Sequence, residues 1–238
     1  MALLATGMLL SGCTSLLVKE ILRTTQIPNW VYIHADPQPG DYAVHRTAQG
    51  PLIRYEIKSV SPGRIEMSQR FVELGSCLMW GSGLDEVEHR VFLDEEGYVQ
   101  EAFLLEDNGR KTKLPIAAPG ENGYVANVQD VSAPGSGLLH VDAGYFAVTE
   151  LRIFELYSMG PYGPNTLTVV HYGNPEVHFG IVKIAGYQSS SVSITDLADF
   201  IKDAGTSLAA GLVLKFLEDK YMQIEAELVE QGNSLSPR

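Results

Sequence analysis

Cysteine is scarce in this 238-residue chain: only Cys13 and Cys77 are present. Cys77 lies in Leu74-Gly-Ser-Cys-Leu-Met-Trp80, whose apolar neighbours suit a small buried hydrophobe. A reactive thiolate needs a base beside it, and none is close in sequence, although His89 is available to approach in space. Positive charge is also short, with 17 Lys and Arg against 29 Asp and Glu and a formal net charge of −12. Such a surface excludes broad nucleic-acid binding, which depends on neutralising phosphates, and wide docking on anionic lipid head groups. No stretch reaches the roughly 18 apolar residues of a transmembrane helix.

Catalytic signatures are missing as well. The chain has no phosphate-binding loop, dinucleotide fingerprint, CxxC pair or HExxH. Gly81-Ser-Gly83 and Gly135-Ser-Gly137 lack the five-residue elbow of a serine nucleophile and read as loops. Asp85, Glu86 and Glu88 cluster, but in an extended segment Asp85 points to the face opposite Glu86 and Glu88, so they read as a charged, solvated strand start and not as a carboxylate pair. No catalytic residue and no cofactor is expected, and the reading is of a non-enzymatic protein.

What is present is a globular composition, 45% hydrophobic with 12 prolines and 23 glycines. From residue 40 the dominant period is two. Ile53, Tyr55 and Ile57 alternate with Arg54, Glu56 and Lys58, and Ile65 and Met67 alternate with Arg64 and Glu66. Val87–Leu93 and Val99–Leu105 follow less cleanly. The separators Ser61-Pro-Gly63, Asp94-Glu-Glu-Gly97 and Asp107-Asn-Gly109 have hairpin length, which predicts an antiparallel meander. Arg46, Arg54, Lys58, Arg64 and Arg70 outnumber Asp41, Glu56 and Glu66 over residues 41–72, as expected of a solvated sheet face laced with ion pairs. Tyr124–Val131 is a short strand between Pro/Gly/Ser-rich loops, and Leu138–Tyr157 is a long extended stretch. Leu167–Tyr172 and Val177–Tyr187 form a hairpin around Gly173-Asn-Pro-Glu176.

After Ser191 the period changes. Ser193-Ile-Thr-Asp196 resembles a capping box, with Leu197, Phe200, Ile201 and Ala204 on one face. A second helix carries Leu208, Leu212, Phe216, Leu217, Tyr221, Ile224 and Leu228. The expected fold is mainly β (α+β), a curved antiparallel sheet or half-barrel covered by C-terminal helices. The β domain spans 40–195, the helices 196–231, and 232–238 is a fraying tail.

The N-terminus adds a location. Met1–Leu10 is apolar and leads into Leu10-Ser11-Gly12-Cys13. This order resembles the lipobox of bacterial lipoproteins: a branched apolar residue, two small ones and a cysteine. The resemblance implies a signal over 1–12, cleavage between Gly12 and Cys13, and acyl chains on Cys13 with a tether over 13–39. Two or three such chains hold a protein on a membrane where a single one does so only marginally. Acylation would also leave Cys77 without a disulfide partner. Thr14 follows in place of Asp, which by the same resemblance favours the outer membrane. The chain departs from a usual signal in that its first basic residue, Lys19, comes after the cysteine. The bland alternative is an ordinary apolar N-terminal element.

A meander closed by helices behind a lipobox is similar to half-barrel envelope proteins of the LolA/LolB type. His140-Val-Asp-Ala-Gly-Tyr-Phe-Ala-Val148 and Val177-His-Phe-Gly-Ile-Val-Lys183 resemble paired motifs of uncharacterised half-barrel proteins of Gram-negative envelopes. The long final helix departs from the interleaved helices of that type, so no ligand residues are transferred.

Two chemical candidates remain. A turn at Gly173–Glu176 would set His171 opposite His178, near enough to share a metal with Asp142 or Glu176 as third ligand, although exposed sheet histidines are the commoner case. Tyr42, Tyr55, Phe71, Phe103, Phe146, Phe154 and Phe179 either fill a core or line a cavity for an apolar ligand. The functional expectation is an envelope lipoprotein that carries an apolar ligand between sheet and helix. The alternative is an assembly lipoprotein that binds a protein partner.

Overall fold

The computed structural model describes residues 23–24, 26–34, 36–47, 52–73, 87–106, 108–132, 138–160, 163–188 and 222–235. They form thirteen strands. The first six are β1 (Asp41–Thr47), β2 (Leu52–Ser61), β3 (Arg64–Glu73), β4 (Val87–Leu93), β5 (Val99–Glu106) and β6 (Lys111–Lys113). The remainder are β7 (Val125–Ser132), β8 (Leu138–Val141), β9 (Gly144–Ala147), β10 (Glu150–Gly160), β11 (Gly163–Gly173), β12 (Ile181–Gln188) and β13 (Met222–Asn233). Eleven of them make one open sheet in the order β6-β5-β4-β3-β2-β1-β13-β12-β11-β10-β7, with β8 and β9 as a separate pair.

The expected meander is present as the run from β1 to β6, turning where the sequence places its hairpins. Its outward face carries the ion pairs anticipated from the charge pattern. Glu56 meets Arg54 at 3.2 Å and Lys58 at 2.9 Å, while Arg90 joins Glu66 to Glu88. Its inward face buries Ile57, Ile65, Met67, Val91, Leu93, Ala102 and Leu104 in one core cluster.

The C-terminal helices are overturned. Among the described residues no helical element covers the sheet, and the stretch read as the end of the second helix is β13. The error has a physical source. Ile224 and Leu228 are four residues apart, a spacing that keeps one face in a helix and in a strand alike. Met222, Ile224, Ala226 and Leu228 against Gln223, Glu225 and Glu227 satisfy period two, which is the pattern the sheet uses. β13 inserts between β1 and β12 and joins the two arms of the sheet, as in the pairs Arg46↔Glu227 and Lys183↔Glu227. Asn233, expected to fray, donates to Asp41 Oδ1 at 2.9 Å and to Pro39 O at 3.1 Å. The first expected helix, Leu197–Ala204, lies outside the described residues, as do Cys13, Cys77, Gly81–Gly83 and Gly135–Gly137.

Two further expectations change. Leu138–Tyr157 is broken into the hairpin β8–β9 and the start of β10. The stretch taken as tether is, from Gln26 to His34, packed into the sheet. Ile27 N donates to Pro115 O, and Ala117 N to Ile27 O, both at 2.9 Å, beside the β6 edge. Two residues on, the Asn29 side chain caps the β7 edge through Val125, donating to its O at 3.1 Å and accepting from its N at 2.6 Å. One short segment therefore reaches both ends of the sheet, so the sheet bends round it. Val31 and Ile33 pack against the cluster of β1–β6, whereas Trp30 and Tyr32 enter a second cluster with Phe154, Leu167, Val169 and Ile181. The close fit depends on Gly97, where φ is +88° and a Cβ would sit 2.2 Å from Val31 O.

Candidate functional site

Residues 28–32 roof a cavity of about 270 Å³. Its floor is the concave side of the sheet: Tyr55 on β2, His45 on β1, Ile181 and Ile184 on β12, Val169 and His171 on β11, and Phe154 and Leu156 on β10. Phe179, Pro28, Trp30, Val31, Tyr32 and Val125 complete a wall in which the described residues include no Lys, Arg, Asp or Glu. Register explains the convergence. Phe154 pairs with Val169 and Arg152 with His171, so alternate residues of β10 and β11 share the inner face.

Among the described residues the polar side-chain groups in this wall are His45, Tyr55, His171, the Tyr32 hydroxyl and the Trp30 indole N–H, which donates to Glu96 O at 2.9 Å. His45 and His171 are only 3% and 8% exposed. His45 Nε2 lies 3.1 Å from Ile181 O, so it carries the proton and donates it, which leaves Nδ1 as a bare acceptor. Among the described residues neither His45 Nδ1 nor His171 Nδ1 finds a hydrogen-bond partner. Burial pushes His45 down to about 4. It takes His171 to about 3, with the charges of His45 and Arg152 adding to the effect. Burial alone pushes Tyr55 up to about 12. His171 stands inside an aromatic cage, its ring centre 4.8 Å from Phe154, 5.9 Å from Tyr32 and 6.2 Å from Trp30.

Charge lies just beyond the roof. Tyr32 donates to Glu150 Oε1 at 3.1 Å, and its pKa is raised by burial and by the Glu150 charge. Arg152 sits 4.7 Å over the Tyr32 ring and is held by Asp130, with Nη2 to Oδ2 at 2.8 Å. These groups face a second cleft of about 650 Å³ together with Glu95, Glu96 and Asp130. Trp30 and Tyr32 line both and thus separate an apolar cavity from an acidic cleft.

The histidine pair read from the sequence is not formed. His171 pairs across the ladder with Ile184, because the connection to β12 runs through 174–180 and is longer than a hairpin turn. His178 is exposed in that connection, its Nδ1 3.3 Å from Asp41 Oδ1. Asp142 is taken by Arg46, and no group of three metal-ligating side chains occurs among the described residues. Of the aromatic set, Tyr55, Phe154 and Phe179 line the cavity. Phe146 packs on the core, Tyr42 donates to Glu230 at 2.8 Å, and Phe103 lies under Lys111. Phe71 has no described side chain. The two motifs His140–Val148 and Val177–Lys183 do meet: Val141, Val177 and Val182 share the core, and Asn174 next to the second motif donates to Ala147 O at 2.7 Å. Trp30, Tyr32 and His45 were missed. The signal for the first two was the alternation Trp30-Val-Tyr-Ile33 itself, a strand pattern inside an assumed tether.

No protein-family model, of the LolA/LolB type or any other, matches the chain, and no curated protein does. Among solved structures it is similar to a candidate exported protein with a YmcC-like fold from Bacteroides fragilis, at 12% identity and TM-score 0.36, over 85% of this chain and 100% of that one. A candidate lipoprotein from Parabacteroides distasonis aligns at 10% identity and TM-score 0.38, over 87% and 100%. A hypothetical protein from Chlamydia trachomatis aligns at 9% identity and TM-score 0.42, over 85% and 91%. Likenesses this distant say nothing about what this chain binds.

Proposed function

We propose that the protein is a cell-envelope lipoprotein, held to the outer membrane by acyl chains on Cys13, that shelters a small apolar ligand between its sheet and residues 28–32. The observation that carries this is the 270 Å³ cavity with a wall of aromatic and aliphatic side chains and a few convergent polar groups. The lipobox Leu10-Ser11-Gly12-Cys13 supports the anchor.

The role proposed is binding and not catalysis. General acid–base work near neutrality needs a pKa near 7. His45 at about 4, His171 at about 3 and Tyr55 at about 12 are all displaced from it. Native mass spectrometry of the full-length protein, released gently from membranes, tests the reading. A co-purified apolar ligand that dissociates on collisional activation is the expected result, and consistently ligand-free protein counts against it. Intact mass tests the anchor, since a free Cys13 thiol still joined to residues 1–12 would refute it.

One observation favours the partner-binding alternative. The outward face of the β8–β9 hairpin exposes Leu138 and Tyr145 at 66% and 69%. Cross-linking in intact cells from a photoreactive residue at position 145 reads it out: a discrete protein adduct supports an assembly role, and its absence rejects one.

A further inference from the structure

The cavity is apolar in area but not indifferent in chemistry. A buried polar atom without a partner is destabilising, and native proteins hold few of them. Here His45 and His171 each carry an unpartnered Nδ1, and both residues lie in the wall of the same cavity. The His45 tautomer is fixed by Ile181 O, so its Nδ1 can only accept. His171 has no such constraint and offers either a donor or an acceptor. A hydroxyl is both donor and acceptor and matches either arrangement.

A charged head group finds no counterpart. Among the described residues no cationic or anionic side chain lines the cavity. The guanidinium of Arg152 lies across the Tyr32 ring and is already held by Asp130. A carboxylate would have to shed its water against neutral rings and a bare lone pair, which disfavours it. Size narrows the choice further. At 270 Å³ the cavity lies between the roughly 150 Å³ void that takes benzene and the roughly 300–1,000 Å³ pockets of drug-sized ligands.

Resting on the apolar-ligand reading above, we infer that the ligand is an uncharged single-chain amphiphile. Its hydroxyl head donates to Nδ1 of His45 beside His171, and its chain lies along Phe154, Val169 and Ile184. Trp30, in the roof, is a built-in reporter. The experiment uses the full-length chain carrying Cys13→Ser, so that no detergent competes, and Trp80→Phe, which leaves Trp30 as the single tryptophan. Decanol and decanoate are titrated at pH 7 and followed by Trp30 emission.

Decanol is expected to bind at least tenfold more tightly than decanoate. His171→Phe, which keeps an aromatic ring inside the cage, and His45→Leu should each reduce that preference about tenfold, the equivalent of one hydrogen bond. In the chain with both histidines intact, the nitrogen-15 resonance of His45 Nδ1 should move on adding decanol, a readout independent of whether the variants fold. Equal binding of the two probes, tighter binding of decanoate, or a motionless His45 resonance overturns this inference while leaving an apolar site in place. Failure of both probes to bind overturns the apolar-ligand reading itself.

Discussion

The two arms of the sheet bury their residues in different ways. β5 alternates, with Val99, Ala102, Leu104 and Glu106 buried between partly or fully exposed neighbours. β11 does not: Leu167, Thr168, Val169, Val170, His171 and Tyr172 are all buried, so both of its faces are covered. β12 is the same except at Ile184 and Gln188. One arm meets water on its outer face and manages it with ion pairs, while β11 and β12 in the other are covered on both faces. Alternation is thus a record of one-sided burial, and its loss marks the arm that builds most of the cavity floor.

The same substitution placed on both arms should expose that difference most strongly. Val60 on β2 is 41% exposed, and Val170 on β11 is 0% exposed. Val170→Asp buries a carboxylate on a covered face where Lys183, diagonal to it on β12, is already paired with Glu227, and should cost about 4–5 kcal/mol, enough to unfold many domains. Val60→Asp keeps its charge in water and should cost under about 1 kcal/mol, mostly lost strand propensity. Urea midpoints at equal slope give both values. Similar losses at the two sites would mean that the outer face of β11 is not core.

Acid should act next, through the neutral histidines of the cavity. Their folded pKa values are depressed, so below pH 6.5 the unfolded chain binds protons that the folded chain refuses. Stability is therefore full above pH 6.5, falls as pH drops toward about 4, and levels off below the folded values. For His45 the displacement from 6.5 to about 4 corresponds to on the order of 3 kcal/mol. Burial lowers His34 and His89 too, adding losses of the same sign. The carboxylate of Glu56 acts lower in pH: burial lifts it, but Lys58, Ser234 and Arg54 bring it below its ordinary 4.5. The window from pH 6.5 to 5 therefore belongs to histidine. His171→Phe should flatten the dependence of urea midpoint on pH there, and an unchanged slope would locate the titration elsewhere.

Much of the one-sided arm was legible in the sequence. Ile53 to Ile57 and Ile65 to Met67 name their faces, and Ser61-Pro-Gly63 names the turn between them. The two-sided arm was harder, because a run such as Leu167-Thr-Val-Val-His-Tyr172 gives no face to read and its partners are fixed by tertiary contact. β13 was misread because pairs four apart serve both periods. The cavity was half visible, in Tyr55, Phe154 and Phe179. Its roof and histidines were not, because Trp30 lies 141 positions from His171 and their meeting depends on how far the sheet bends.

The roof offers a smaller test, with two glycine turns of the one-sided arm as a pair. Gly63 and Gly97 both have positive φ, but a Cβ at Gly63 meets nothing within 4 Å, whereas at Gly97 it meets Val31 O at 2.2 Å. Gly63→Ala should cost only the left-handed strain, about 1–2 kcal/mol. Gly97→Ala carries that strain and also pushes residues 30–32 out of the trough, for about 2–3 kcal/mol in all. Trp30 emission in the Trp80→Phe background should shift to longer wavelength for Gly97→Ala alone. A shift in both variants, or in neither, would mean that the roof is not held by its contact with that turn.

The smallest effect should come from the ion pairs that distinguish the outer face. Arg64 Nη2 lies 3.2 Å from Glu101 Oε2, with the two side chains 52% and 38% exposed. Water and salt screen such a pair, so a double-mutant cycle of Arg64→Ala and Glu101→Ala should give a coupling of about 0.2–0.5 kcal/mol that shrinks in 0.5 M salt. Arg64→Ala alone should cost more than the coupling, because its guanidinium also lies 4.1 Å from the centre of the Phe92 ring. Arg64→Lys separates the two contributions, since it keeps the charge while losing the planar stack. A coupling above about 1 kcal/mol would place the pair in a drier setting than its exposure allows. The contrast between a wetted arm and a dry one would then weaken on its wetted side, where ion pairs and not packing are held to meet the solvent.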